Sequence, residues 1–118
     1  MKTNLDMTLM ENKKLAFNML NAPETRLSDM VGKAIHATDY VIDNIEIVDK
    51  DSGEVMPTSR LVIRDNQGRT YHTMARGLLE SFNRILAVFG DSWGDGFDLM
   101  VNQVNTSSGK RTYLFEMM

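Results

Sequence analysis

A mainly β domain of five strands, with one helix between the third and the fourth, is what the sequence predicts, and two observations predict it. First, apolar periodicity from Val31 onward runs strand, strand, strand, helix, strand, strand, the element order of the OB-fold, a five-stranded, partly open Greek-key barrel. Second, the long β-branched segment Val31 to Asp49 changes phase part-way: Tyr40 and Ile42 share one parity, Ile45 and Ile47 the other. A β-bulge or bend at Asp43-Asn44 resets the phase with one extra residue, as the long bent first strand of such a barrel requires. A tight turn at the same dipeptide is the alternative.

The remaining elements follow from local pattern. Met10 to Leu20 sets Met10, Leu15, Phe17, Met19 and Leu20 among Glu11, Asn12, Lys13 and Lys14, a short amphipathic helix that Pro23 stops. Ahead of it, residues 4–9 (NLDMTL) alternate weakly as an edge strand; behind it, ETRLSDM connects to the body. Residues 1–30 therefore read as a helical extension and 31–118 as the OB-like domain. DKDSGEV (49–55) is a turn, followed by strands from Thr58 to Arg64 and from Arg69 to Met74 around DNQG. Asp65 at the first turn position and Gly68 at the fourth fit a type I turn with Gly68 left-handed. From Gly77 to Phe89 the residues Leu78, Leu79, Phe82, Ile85, Leu86 and Phe89 fall at helical spacing, and Gly90 stops the helix. The DSWGDG loop leads to a strand from Phe97 to Asn105, a TSSG turn and a last strand from Lys110 to Met117.

Composition bounds the function classes. The chain has 118 residues, a mass of 13.4 kDa and a formal net charge of −3, with 42% hydrophobic and 25% charged residues, the balance of one folded domain. It has no cysteine, which excludes disulfides and thiolate metal sites and fits a reducing cytoplasm. No apolar run approaches the roughly 20 residues needed to cross a bilayer. Asp6, Glu11, Lys13 and Lys14 interrupt the N-terminus where an export signal needs an apolar stretch, so the expected place is the cytoplasm and no membrane partner is expected. Ten methionines serve as core filler or as an adaptable contact surface, filler being the commoner role.

Catalytic motifs fail on context. GDSWG (90–94) spells a nucleophile elbow, but it follows a helix and precedes a strand, and both histidines, His36 and His72, lie upstream of the serine. DKDSGE resembles the start of a calcium loop, yet Glu54 and Arg60 stand where that loop needs glycine and glutamate. No phosphate-binding glycine motif occurs, and two distant histidines do not define a metal site. No enzyme, no cofactor and no small-molecule substrate is expected.

A basic and aromatic constellation remains. In RLVIRDNQGRTYHTMARG (60–77), Arg60, Val62 and Arg64 share one strand face while Leu61 and Ile63 take the other. The third strand has two registers, of which turn chemistry favours the first. With a glycine bulge, Asp65 pairs with Arg69 and Tyr71 lies beside Ile63 on the core side; with a two-residue loop, Arg64 pairs with Arg69 and Tyr71 joins the arginines. Single strands are held by basic grooves with aromatic rings on which bases stack, on the strand-two and strand-three face and the flanking loops of OB-folds. Lys50 lies in the first of those loops, and Lys110 with Arg111 follows TSSG in the second. The candidate phosphate contacts are thus Arg60, Arg64, Arg69 and Lys110, then Arg76, Arg111 and Lys50; the candidate stacking rings are Tyr71, Trp93 and Tyr113, with Tyr40 a fourth. For each ring the competing role is core packing, and for each arginine a solvated sheet face. Acidic residues cluster elsewhere in the sequence, from Asp39 to Glu54 and from Asp91 to Asp98, the pattern of an acidic body with a basic strip.

SDMVGKAI leading into a long strand, DKDSGEV before the second strand, the RLVIRDNQG hairpin and LLESFNRILAVFG before a final strand pair together resemble small single-stranded DNA-binding proteins of bacteriophage replication modules, over residues 28–117. The resemblance implies an OB-fold without catalysis that binds single strands with little sequence preference and protects replication intermediates. The chain departs from better-known bacterial relatives at its end, where TYLFEMM reads as a strand in place of a glycine-rich linker with an acidic tip. Self-association and contacts with replication proteins are the further partners expected. The rival reading is a non-enzymatic phage accessory protein whose methionines and N-terminal helix grip a protein partner; binding of RNA is another.

Overall fold

One curled sheet is built outward from a central strand. The computed structural model describes residues 1–118. Its strands are β1 (Lys2–Thr3), β2 (Thr25–Arg26), β3 (Ala34–Val48), β4 (Val55–Asp65), β5 (Thr70–Thr73), β6 (Phe97–Asn105) and β7 (Arg111–Met117). The helices are α1 (Met10–Asn21) and α2 (Arg76–Phe89), with a 3-10 turn at Leu27–Met30. The strand order is β2-β5-β4-β3-β6-β7, and β1 lies antiparallel on β3. Residues 34–37 of β3 pair with β6, and residues 39–48 pair with β4. No ladder joins β5 to β7, so the sheet is a curled half-barrel.

α2 packs against β7, beside the open side of the half-barrel. The Phe115 N–H donates to Ser81 Oγ at 2.9 Å. At Gly77 any Cβ would collide with Thr112 Oγ1 and the Tyr113 carbonyl oxygen, so only glycine lets the helix start this close to the strand. The main core fills the space between α2 and the sheet with Tyr40, Leu61, Ile63, Leu78, Phe82 and Leu99, all fully buried. A smaller core lies on the other sheet face, where Ala16 and Met19 of α1 cover Val41 and Val62.

Three expectations are corrected. The sheet has seven strands, not five, because residues 1–30 contribute β1 and β2, and β2 runs parallel to β5. The edge strand expected at residues 4–9 is instead Lys2–Thr3; beyond it the Asp6 carboxylate accepts from the Thr8 N–H and hydroxyl in a turn that feeds α1. The irregularity in β3 falls between Ala37 and Asp39, while Asp43 and Asn44 pair in unbroken register with Arg60 and Ser59. The phase change has another cause. At Tyr40 and Val41 both faces of β3 are covered, one by the main core and one by α1. Past Asn44 the β3–β4 hairpin leaves the body, and Ile47, Val48, Val55 and Met56 are exposed, so alternation there no longer reports a buried face.

Candidate nucleic-acid interface

The DNQG turn decides where the third-strand side chains point. The Asp65 N–H donates to the Arg69 carbonyl at 2.9 Å and the Gly68 N–H to the Asp65 carbonyl at 3.1 Å, with Gly68 at φ +79°, a conformation that glycine adopts without penalty. Ile63 therefore faces Tyr71, and Val62 faces His72: the bulged register of the two. Tyr71 is 5% exposed and belongs to the main core. Its hydroxyl donates to Asp65 Oδ2 at 3.0 Å.

Asp65 organises this corner. Its carboxylate also accepts from the N–H groups of Gln67 (2.9 Å) and Arg69 (2.8 Å) and from Arg69 Nε (2.8 Å). Burial is the largest influence on its ionisation and opposes it, yet the Arg69 and Gln67 N–H groups, the guanidinium and the Tyr71 hydroxyl together hold the carboxyl below its ordinary value. Arg69 is thereby fixed in place, with much of its side chain still in solvent.

The arginine face differs from a free basic strip. Leu61 and Ile63 turn into the main core as parity requires, but Val62, between the arginines, is also buried beneath α1. Antiparallel pairing sets Asp39 opposite Arg64 and Asp43 opposite Arg60. Arg64 Nε and Nη2 donate to Asp39 Oδ2 at 2.9 and 2.6 Å, and Arg60 donates to both Asp43 oxygens at 3.4 and 3.3 Å. Acidic and basic residues that are apart in sequence are thus interleaved in space, contrary to the segregated pattern expected from the sequence. Arg76 is exposed and pairs with Glu80 one turn along α2.

The rings separate. Trp93 is 7% exposed: it stacks on Tyr40 at 5.1 Å, packs on Phe97 at 4.6 Å, and donates its indole N–H to the Gly90 carbonyl at 2.8 Å. Tyr40 is fully buried, with its hydroxyl on Asp91 at 2.7 Å. Burial withdraws the faces of Tyr71, Trp93 and Tyr40 from stacking on a ligand. The loop around Trp93 is held to β3 by His36, whose Nδ1 meets Asp98 Oδ1 and whose Nε2 meets the Asp95 carbonyl, both at 2.7 Å.

Tyr113 is placed differently. β6 and β7 pair Gln103 with Tyr113 and Asn105 with Arg111. By the two-residue period these four lie on the same face as Leu99, Val101 and Phe115, which nearer the body is the core face. That face therefore runs outward from the core into a surface carrying a partly buried ring whose inner side still packs against the main core, two amides and a guanidinium. Lys110 precedes it just after the Thr106–Gly109 turn, and its carbonyl accepts from the Thr106 N–H at 2.7 Å. Lys110, Arg111 and Lys50 are exposed, and none makes an ion pair. Gln103 and Asn105 are not among the residues the sequence singles out: alternation gives their face, and the β6–β7 register sets them beside Tyr113 and Arg111.

A half-barrel with unpaired cations on its hairpins and an aromatic ring beside them has the form of a small nucleic-acid-binding β domain. Comparison with protein families makes this specific. The profile described as phage single-stranded DNA-binding protein, of the phi29 type, matches residues 1–117, and the chain belongs to that family. Comparison with curated proteins and with solved structures returns no match.

Proposed function

We propose that the protein binds single-stranded DNA without sequence preference and protects replication intermediates of a phage in the host cytoplasm, using an OB-like arrangement of β3 to β7. The observation that carries this reading, beyond family membership, is the β6–β7 hairpin face, where Tyr113 stands beside the unpaired Arg111 with Lys110 just after the adjoining turn. Phosphates are neutralised by Lys110, Arg111 and, on the β3–β4 turn, Lys50; a base stacks on Tyr113. Arg60, Arg64, Arg69 and Arg76 already have carboxylate partners and add secondary contacts through the N–H groups those partners leave free. Each phosphate contact releases counterions, so affinity falls with salt. Tyr71 and Trp93 support the site from the core.

Fluorescence anisotropy of a labelled oligo-dT tests the reading. Binding at low salt that weakens steeply by 200 mM and resists duplex competitor is expected; no binding at low salt, or equal preference for duplex, refutes it. The exposed apolar arm of Ile47, Val48, Val55 and Met56 favours a second reading, contact with a replication protein or a second copy. Val55→Asp with Met56→Asp would then abolish capture of that partner and spare oligonucleotide binding.

A further inference from the structure

The outward face of α1 is not what an amphipathic helix ordinarily shows to water. Ala16 and Met19, with partly buried Leu15 and Leu20, face the sheet. Phe17 points away from it and is 65% exposed. Lys13 and Lys14, four and three residues earlier, lie on the same side by helical period, about one turn away. These three and Asn18 line an open hollow of about 380 Å³. Neither lysine has a carboxylate within ion-pair distance, and neighbouring Glu11 pairs with neither. A second groove, of about 320 Å³, shares Asn18 and continues past Asn21 and Glu24 to Arg64 and Thr70, so the face is continuous with the arginine ribbon.

A bare phenyl ring flanked by two unpaired ammonium groups suits a ligand that offers flat apolar surfaces and negative charge at short, regular intervals. Single-stranded DNA offers both, whereas duplex DNA hides its base faces and an acidic peptide does not repeat a flat face with every charge. We propose that this face of α1 is a second single-stranded DNA contact, in which Phe17 stacks a base and Lys13 and Lys14 meet the flanking phosphates. The proposal rests on the single-strand binding function proposed above, and it makes the N-terminal helix part of the footprint.

The test uses the full chain and oligo-dT as probe. Phe17→Trp in a Trp93→Phe background puts the only indole on this face; its emission is expected to be quenched at the stoichiometry read by anisotropy of the labelled oligonucleotide. In the natural background, Phe17→Ala is expected to weaken binding roughly tenfold. Lys13→Ala with Lys14→Ala should reduce the slope of log affinity against log salt by about 1.4. Anisotropy that still reports binding, with unquenched emission and wild-type affinity and slope in the alanine variants, overturns this contact and leaves the proposed function standing. Absence of binding by the wild type at low salt overturns both. Thermal melting of each variant separates a folding defect from a lost contact, and the lysine pair, being exposed, reads out even if the Trp93 replacement does not fold.

Discussion

Replacing Lys110 and Arg111 together by alanine removes two cations that no carboxylate neutralises. Both are exposed, Arg111 as the first residue of β7 and Lys110 just before it, so the fold loses little: surface substitutions of this kind stay within about 0.5 kcal/mol. Binding loses two counterion-release terms. For a single strand each contact contributes about 0.7 to the slope of log affinity against log salt, so the double variant should lose about 1.4 of it. Relative to a 1 M salt reference, that slope corresponds to a loss of about 25-fold at 0.1 M salt and about tenfold at 0.2 M. Anisotropy of a labelled oligo-dT at four salt concentrations measures both quantities at once. An unchanged slope, with melting unchanged, would refute the placement of phosphate contacts on this hairpin.

Other consequences follow from the same geometry. Asp39→Asn with Asp43→Asn frees Arg64 and Arg60 and should tighten oligo-dT binding several-fold at low salt, while loss of these largely buried charged pairs costs about 1–3 kcal/mol each in a denaturant melt. Asp65→Asn leaves donors from Gln67, Arg69 and Tyr71 without their anion and should lower stability by about 3 kcal/mol, seen as an earlier urea midpoint. Because its folded pKa is depressed, Asp65 contributes stability above its unfolded value that is lost as pH falls through the folded one, and the variant should flatten that acid limb. His36 has the opposite sign. Its hydrogen bond to Asp98, then that to the Asp95 carbonyl, raise its pKa; the stabilisation is complete below about pH 6.5 and disappears as pH rises through the higher folded value, so melting temperature should drop there in the wild type and not in His36→Ala. Trp93→Ala should cost about 3–5 kcal/mol, as loss of a buried aromatic does, and wild-type Trp93 emission should change little when oligo-dT binds.

Legibility followed the range of the interactions. α2 with its Gly90 stop, the span Phe97–Asn105 and the hairpin signal of DNQG rest on contacts within a few residues, and the sequence shows them. The bulged DNQG register is the one turn chemistry favours, and the structure adds its anchor, Asp65, whose side chain gathers four donors across the turn. β1 and β2, two residues each, are shorter than any period and exist only because β3 and β5 offer an edge. The pairing of Asp39 with Arg64 and Asp43 with Arg60 needs the β3–β4 register, so acidic and basic runs that look separate along the chain meet across the ladder. For Trp93 the sequence leaves stacking and core packing both open; the partners that decide for packing, Tyr40, Phe82 and Phe97, come from three separate elements.

In the proposed complex, single-stranded DNA lies across the β6–β7 hairpin face. Photocrosslinking to an oligonucleotide carrying 5-iodouracil, followed by peptide mass spectrometry, tests it most directly. An adduct at Tyr113 is expected; adducts confined to Tyr71, to Trp93 or to the β3–β4 arm, with Tyr113 unmodified, would place the strand elsewhere and refute this binding face.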